Sequence, residues 1–506
     1  MRSRYINART IVSVIPFFVA GLLIYFPLFG HLDTFPIRIW DESRLANNAY
    51  EMYKNGDWIV THFDGQPDMW STKPPLMIWL QVIFMKIIGI NELAVRLPSS
   101  FAALFTCIIL IVFSRYYLKD YWPGLIASIV LCTTHGYISF HGARSGDYDA
   151  LLTFFTTSYV LSFFLYLEKE KPEYLYLTFI AVTMAVMTKS IAGLLFLPGL
   201  FIFTLFERKL LKLLRSRHFY FGLIIFIVTV AGYYFIREHK NPGYLEAVYN
   251  NDLWGRYNTS SGGHTGPFSY YYDKLMQNEI SNWQFFLPFG IIAGFSFRKK
   301  EYFKFTILGI SVISTFFVII SASHSKLRWY DIPAYPLVSF LVAFFIFFIF
   351  KYLKEIKFIS RYKILMIVPL IYLVFVFYKP YQNIMGVTFT PTEREWDKDY
   401  YRTSYFLKDA LAEKTKLDNY HIVIERADAH ILFYVRLLQD QGSRIAITRK
   451  ENLGPGDQVL VQDMHLVDYM KDHFECELLL KDHNLEILKI NARKSPDLII
   501  GDYTHL

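Results

Sequence analysis

Leu76 to Gly89, LMIWLQVIFMKIIG, is apolar almost throughout yet only about 14 residues long, short of the roughly 20 that a spanning helix needs. It carries Gln81 and Lys86, and Pro74-Pro75 stands where a helix would start. This pattern predicts an interfacial helix rather than a membrane span. The parity of everything after it follows. The blocks Leu97–Tyr117 and Pro123–Phe140 then cross inward and back, with Arg115 and Lys119 at the inner turn, and the chain returns to the outer face at HGARSGDYDALLTFF (141–155). Counting Leu76–Gly89 as a span would turn the basic loops that follow outward, against the positive-inside rule.

Of the 506 residues 53% are hydrophobic and 18% aromatic, and the apolar residues fall in blocks of roughly 15 to 21, which makes the chain an integral membrane protein. The net charge of +8 sits mostly in short loops between these blocks, so it reads as topology and not as a nucleic-acid partner. The inner loops become Glu168–Glu173, Glu207–His218, Arg298–Lys304 and Lys351–Lys363, each bearing Lys or Arg. The outer segments become the first loop (30–96), Thr188-Lys189, Arg237–Asn282, Ser323–Asp331 and everything after Lys379. This requires the block Tyr174–Phe206 to be split at Lys189. Ile11–Phe29 follows Arg2, Arg4 and Arg9 without a small-x-small cleavage pattern and is read as a retained anchor.

The expected fold is an α-helical polytopic membrane protein of about 11 spans, with interfacial helices in the first outer loop, the N-terminus cytoplasmic and the C-terminus outside. Residues 1–380 form the transmembrane domain. Residues 381–506 have the composition of a small soluble extracytoplasmic α/β domain, with helices at Thr403–Lys414 and Val467–Phe474 and strands at His421–Glu425, Gln458–Gln462 and ECELLL (475–480). No internal repeat, G-x-G-x-x-G or P-loop is present. Cys107 and Cys132 lie in apolar blocks and Cys476 stands apart, so neither a disulfide framework nor a thiolate metal site is indicated.

In the first outer loop, RIWDESRLANNAYEMYKNG (38–56) reads as a helix opened by Asp41 and Glu42, with Leu45, Ala49, Met52 and Tyr53 at helical spacing and Asn55-Gly56 as the stop. The acidic pair could serve only to cap it. Yet ionisable groups at membrane depth default to function when no pairing explains them. Asp41, Glu42, Arg44, Lys73, Asp147, Asp149, Lys189, Arg256, His324, Lys326 and Arg328 all fall on the outer side under this topology. Bland roles exist for each: Lys73 and Lys189 can snorkel, Arg144 can pair with Asp147, and SHSKLRWY (323–330) can be a solvated turn. As a set, cations with carboxylates at a membrane surface suit a reaction on a lipid-linked phosphate: the cations stabilise the leaving phosphate and a carboxylate takes a proton from an attacking hydroxyl. His31, His62, His135 and His141 show no ligand spacing, so no metal site is read.

The ordered motifs D-E-S-R-L-A (41–46), N-G-D-W (55–58), K-P-P-L (73–76), R-L-P-S (96–99), A-R-x-x-x-x-D-A-L-L-T-F-F (143–155), M-T-K-S (187–190) and H-S-K-L-R-W-Y (324–330) resemble the integral-membrane (GT-C type) glycosyltransferases of the protein O-mannosyltransferase and lipid A aminoarabinose transferase superfamily. The resemblance covers the membrane part and not the C-terminal domain. It implies inverting transfer of one sugar from a polyprenyl-phosphate donor to a lipid, glycan or protein acceptor at the outer face of the plasma (inner) membrane. Asp41 matches the catalytic acidic residue of the first outer loop and Asp149 the second outer-loop aspartate, and the resemblance makes these two the expected catalytic residues. Lys73, Lys189 and Arg256 match donor-phosphate positions; Arg44 and Tyr330 are further matches, and Glu42, His324 and Lys326 complete the expected substrate-binding set. Aminoarabinose transferases carry Glu before K-P-P and a His before the loop arginine, a pair able to hold a metal; here Thr72 and, by alignment, Asn251 stand there. No cofactor is required by sequence, and a divalent cation stays an open question. A polytopic transporter or lipid flippase is the rival class, but it would show pseudo-repeated halves and broken midplane helices, and the sequence has neither.

The topology is checked by a reporter fused after Lys379, which is expected to score as extracytoplasmic. A cytoplasmic score refutes the parity set by Leu76–Gly89.

Overall fold

The structure, a computed structural model, describes residues 8–139, 141–254, 264–413, 417, 419–425 and 428–494. It divides into two compact units: one of residues up to Leu32 with Glu51–Pro391, the other of Asp33–Tyr50 with Thr392 onward.

The first unit is helical. Among the described residues six helices are long and apolar enough to cross a membrane, and five shorter apolar helices of 10–17 residues accompany them. Leu76–Ile88 is one of the short ones, begun after Pro75 and ended by Gly89 at φ 84°. Asn91 then caps the next helix, Glu92–Phe113, by accepting from the Ala94 N–H. The block expected to span from Pro123 to Phe140 instead forms the helix Trp122–Cys132 and a single turn, His135–Ile138. Thr133 and Thr134 donate their hydroxyls back to the Ile129 and Val130 carbonyls at 2.7 and 2.8 Å where the long helix stops. The block Tyr174–Phe206 does break at Lys189: Pro172–Lys189 is α-helical, Ser190–Leu194 is a 3₁₀ turn, and Leu197–Phe206 is a further helix.

Four of these helices meet around Phe113, whose ring lies 5.9 Å from Phe164, 5.0 Å from Phe305 and 6.0 Å from Phe340. In lipid such interdigitation, rather than water exclusion, drives helix association. At the same end of these helices Lys304, next to Phe305, binds Glu168 at 2.6 Å and Glu207 at 2.7 Å, which ties together three loops that the sequence assigns to one side.

The second unit is α/β. Its five-stranded sheet contains β3 (Tyr420–Val423), β4 (Ile445–Thr448), β5 (Gln458–Val461), β6 (Phe474–Asp482) and β7 (Leu485–Arg493), in the order β4-β3-β5-β7-β6. The labels β1 and β2 belong to a two-residue hairpin in the first unit, His62–Phe63 with Gln66–Pro67. Strand β3 is parallel to both neighbours, and β7 is antiparallel to β5 and β6. The helices Arg402–Leu411, Ala429–Asp440 and Met464–His473 pack with it. The segment Asp33–Tyr50 is held by donors and acceptors of this unit. Ile37 N–H donates to the Tyr434 hydroxyl (2.9 Å), Asn47 Nδ2 to the Ala429 carbonyl (2.7 Å), and Tyr50 hydroxyl to Asp440 (3.1 Å).

His430, 1% exposed, stacks on Tyr400 with ring centroids 5.5 Å apart. Burial, helped by the Arg38 charge, pushes its pKa down to about 3. The unfolded chain takes up this proton from about pH 6.5 downward while the folded unit does not, so stability falls as pH drops from about 6.5 towards 3, by up to about 1.4 kcal/mol per pH unit. Melting temperatures taken between pH 7 and 5 are expected to fall less steeply for His430→Phe than for the wild type.

Candidate active site

The first unit encloses a cavity of about 380 Å³ whose wall is mostly apolar, with Leu152, Ile191, Phe316 and Ile320 among its residues. Lys73, Lys189, Asp149 and Tyr330 supply its polar groups, together with Asp252, Ser190 and Ser323.

Lys189 and Asp149 form its centre. Lys189 is the last residue of the helix Pro172–Lys189 and Asp149 the first of the helix Asp149–Lys169, so each charge sits where the helix dipole favours it. Their exposures are 7% and 1%, and the ammonium donates to both carboxylate oxygens at 2.6 and 2.7 Å. The chain turns sharply after Lys189: Ser190 takes φ 51°, a left-handed conformation that a residue with a side chain adopts at a cost of about 1–3 kcal/mol. Gly193 lets the 3₁₀ turn fold back on the helix, since a Cβ there would lie 2.6 Å from the Ala185 backbone carbon. The Tyr330 ring lies 5.5 Å from the Lys189 ammonium, and Ser190 Oγ lies 3.1 Å from the Tyr234 hydroxyl.

Lys73 reaches the same cavity from the first outer loop, its ammonium 5.2 Å from the Tyr148 ring, and Tyr148 is in turn 3.1 Å from Ser71 Oγ. Beside Asp149, Asp147 is paired with His141, whose imidazole stacks on Trp329 with centroids 3.6 Å apart. Burial raises the Asp147 pKa, but His141 and Lys189 hold it below the usual carboxylate range. Arg144 takes no part in that pair; it donates to the Pro27 and Gly30 carbonyls at 2.8 and 2.6 Å.

The other expected residues divide. Lys326 caps the end of the helix Lys300–Ala322, donating to the Ser321 and Ser323 carbonyls at 2.9 and 2.5 Å, and His324 is exposed. Asp41, Glu42 and Arg44 belong to the second unit. There Glu42 accepts from the N–H of Arg38, which precedes the helix, at 2.7 Å, while Asp41 is half-buried at the first helical position. Arg256 lies outside the described residues. Asp252 was not foreseen. It accepts from the Thr72 hydroxyl at 3.0 Å, and Asn251 donates to the Met69 carbonyl at 2.9 Å. Thr72, one of the two positions noted as departures from the aminoarabinose transferases, is thus bonded to the chain neighbour of the other, Asn251. Arg237 was likewise read only as the start of a loop. It is fully buried and donates to the Ile59 carbonyl at 3.0 Å and the Asp68 carbonyl at 3.4 Å.

Residues 72–234 match the family described as dolichyl-phosphate-mannose-protein mannosyltransferase. An uncharacterised protein of Aquifex aeolicus is 25% identical over 334 residues, 64% of this chain and 62% of its own length. The undecaprenyl phosphate-alpha-4-amino-4-deoxy-L-arabinose arabinosyl transferase of Aeromonas salmonicida is 26% identical over 322 residues, 62% of this chain and 56% of its own. The chain therefore spans less than two thirds of either relative. The fold is similar to that of ArnT from Cupriavidus metallidurans bound to undecaprenyl phosphate (TM-score 0.70, 15% identity, 95% of this chain and 98% of that one). It is also similar to the oligosaccharyltransferase AglB from Archaeoglobus fulgidus in complex with an inhibitory peptide and a dolichol-phosphate (0.55, 12%, 88% and 65%). Motifs, matched segment and fold agree: the chain is similar to the integral-membrane GT-C glycosyltransferases of the protein O-mannosyltransferase and lipid A aminoarabinose transferase superfamily.

Proposed function

We propose that this protein transfers a sugar, with inversion, from a polyprenyl-phosphate donor to a lipid, glycan or protein acceptor at the outer face of the plasma (inner) membrane. The observation that carries the reading is the cavity in the first unit, apolar along most of its wall and cationic at Lys73 and Lys189. An isoprenoid tail needs the first property and a phosphate leaving group the second. The naming of undecaprenyl phosphate in both a relative and a similar structure supports this donor class.

In this mechanism Lys73 and Lys189 grip the donor phosphate and stabilise the charge that grows on it as the glycosidic bond breaks, with Arg256 as a third cation. Tyr330 flanks Lys189. Asp149 holds the Lys189 ammonium in place and faces the cavity itself. Asp41 is the general base that takes the acceptor's proton, with Arg44 beside it on the same helix. Its place at a helix start suits the role, because the helix gives it a rigid seat.

Lys73→Ala is expected to weaken binding of polyprenyl phosphate ten- to hundredfold, the loss of about 1.5–3 kcal/mol typical of one charge-assisted contact. Unchanged affinity in the purified protein refutes the phosphate site. Lys189→Met leaves a buried carboxylate alone and is expected to destabilise the fold by about 3–5 kcal/mol; Lys189→Met with Asp149→Leu should recover most of that in thermal unfolding while remaining inactive. Asp41→Asn keeps shape and helix-start hydrogen bonding, so it should fold and bind donor, yet transfer sugar slower by about a hundredfold or more. Near-normal turnover by that variant removes Asp41 from the role.

A further inference from the structure

The second unit has a cavity of its own, of about 390 Å³, at the carboxyl ends of the neighbouring parallel strands β3 and β5. From β3 the chain crosses through the helix Ala429–Asp440 to β4 on one side; from β5 it leaves through Met464–His473 towards β6 and β7 on the other. Adjacent parallel strands with diverging connections open a crevice, and open α/β sheets bind ligands there.

We infer that this crevice is a saccharide site, selective for neutral or amino sugars over phosphorylated ones. Trp396 stacks on Tyr400 at 5.0 Å and 16°, and Tyr400 stacks on His430 behind it. The Trp396 side chain is 68% exposed, so the ladder ends in a rigid aromatic face beside the cavity. Pyranose C–H groups, which carry partial positive charge, pack on such a face. Gln462 makes the platform stiff: its Nε2 donates to the Asp399 and Tyr400 carbonyls at 2.7 and 2.9 Å, and its Oε1 accepts from the Thr403 N–H at 3.0 Å. Asn484, also on the wall, donates to the Asp399 carbonyl at 3.2 Å, while its side-chain oxygen is buried with no protein partner. A ligand hydroxyl there would satisfy it. Asp399, Glu425 and Asp463 also border the space, Glu425 with Lys450 bound to it at 2.6 Å, and no Lys or Arg is among the described residues that line it. Among the described residues that line it, a phosphate would meet carboxylates and no cation. The crevice thus differs from the cavity of the first unit, which carries Lys73 and Lys189 beside Asp149 and Asp252. On the glycosyl-transfer reading above, its ligand is the sugar portion of an acceptor, not the donor.

The test uses the full chain in detergent and ligand-observed NMR with methyl α-mannoside, glucosamine and glucose 6-phosphate as probes. Saturable binding of the first two is expected, with glucose 6-phosphate at least tenfold weaker and Trp396→Ala lowering affinity at least tenfold. Absence of saturable binding, equal binding of glucose 6-phosphate, or affinity unchanged in Trp396→Ala overturns the inference. Saccharide binding without any transfer from a polyprenyl-phosphate sugar would sink the proposed function and leave this site standing. Transfer without saccharide binding would do the reverse.

Discussion

One apolar helix ends in Lys189, another begins with Asp149, and neither charge could be kept ionised among such neighbours without the other. Removing either partner of a pair buried this well typically costs about 3–5 kcal/mol, because the survivor is left uncompensated. That constraint explains several local irregularities together. The helix from Pro172 has to stop at Lys189, the left-handed Ser190 turns the chain away, and Gly193 gives it room to fold back. The pair also holds the Lys189 ammonium at the cavity wall, and on the proposed mechanism such preorganisation lets it stabilise a leaving phosphate without reorganising during the reaction.

Around this centre, three buried or half-buried arginines do a different job from Lys73 and Lys189. Arg96, Arg144 and Arg237 all donate to backbone carbonyls: Arg96 to Leu32 at 2.6 Å, Arg144 to the turn after the first helix, and Arg237 to the loop around Ile59 and Asp68. Irregular backbone near membrane depth has carbonyls that neither lipid nor a helix can satisfy, and a multi-donor guanidinium serves several at once. Lys73 and Lys189, single charges on flexible stems, line the cavity instead.

The membrane architecture was legible because apolar block length and basic loops report directly on it. The break at Lys189 was legible only through topology, since the pairing that enforces it joins residues 40 positions apart. The Trp122–Cys132 helix was over-extended in the sequence reading because hydropathy is blind to threonine hydroxyls that bond back and end a helix. In the second unit, short alternating strands such as Gln458–Val461 were readable, while the helix Ala429–Asp440 and the strand Leu485–Arg493 were not singled out. Lys73, Lys189, Asp149 and Tyr330 share one cavity wall as their motifs implied. Asp252, Tyr148 and Trp329 escaped notice because their roles depend on partners far away in sequence. Lys326, expected from its motif to bind substrate, caps a helix end, a contact that the motif does not reveal.

Residues Asp33–Tyr50 precede most of the membrane helices in sequence, yet they complete the unit whose sheet comes after all of them. The Ile37 N–H, the Asn47 amide and the Tyr50 hydroxyl each find their partner in the helix Ala429–Asp440. The α/β unit is therefore not a cassette. A gene fusion or recombination event that exchanged only the portion after Pro391 would deliver a sheet without its N-terminal strap and strand those donors, so in evolution the two stretches have to travel together.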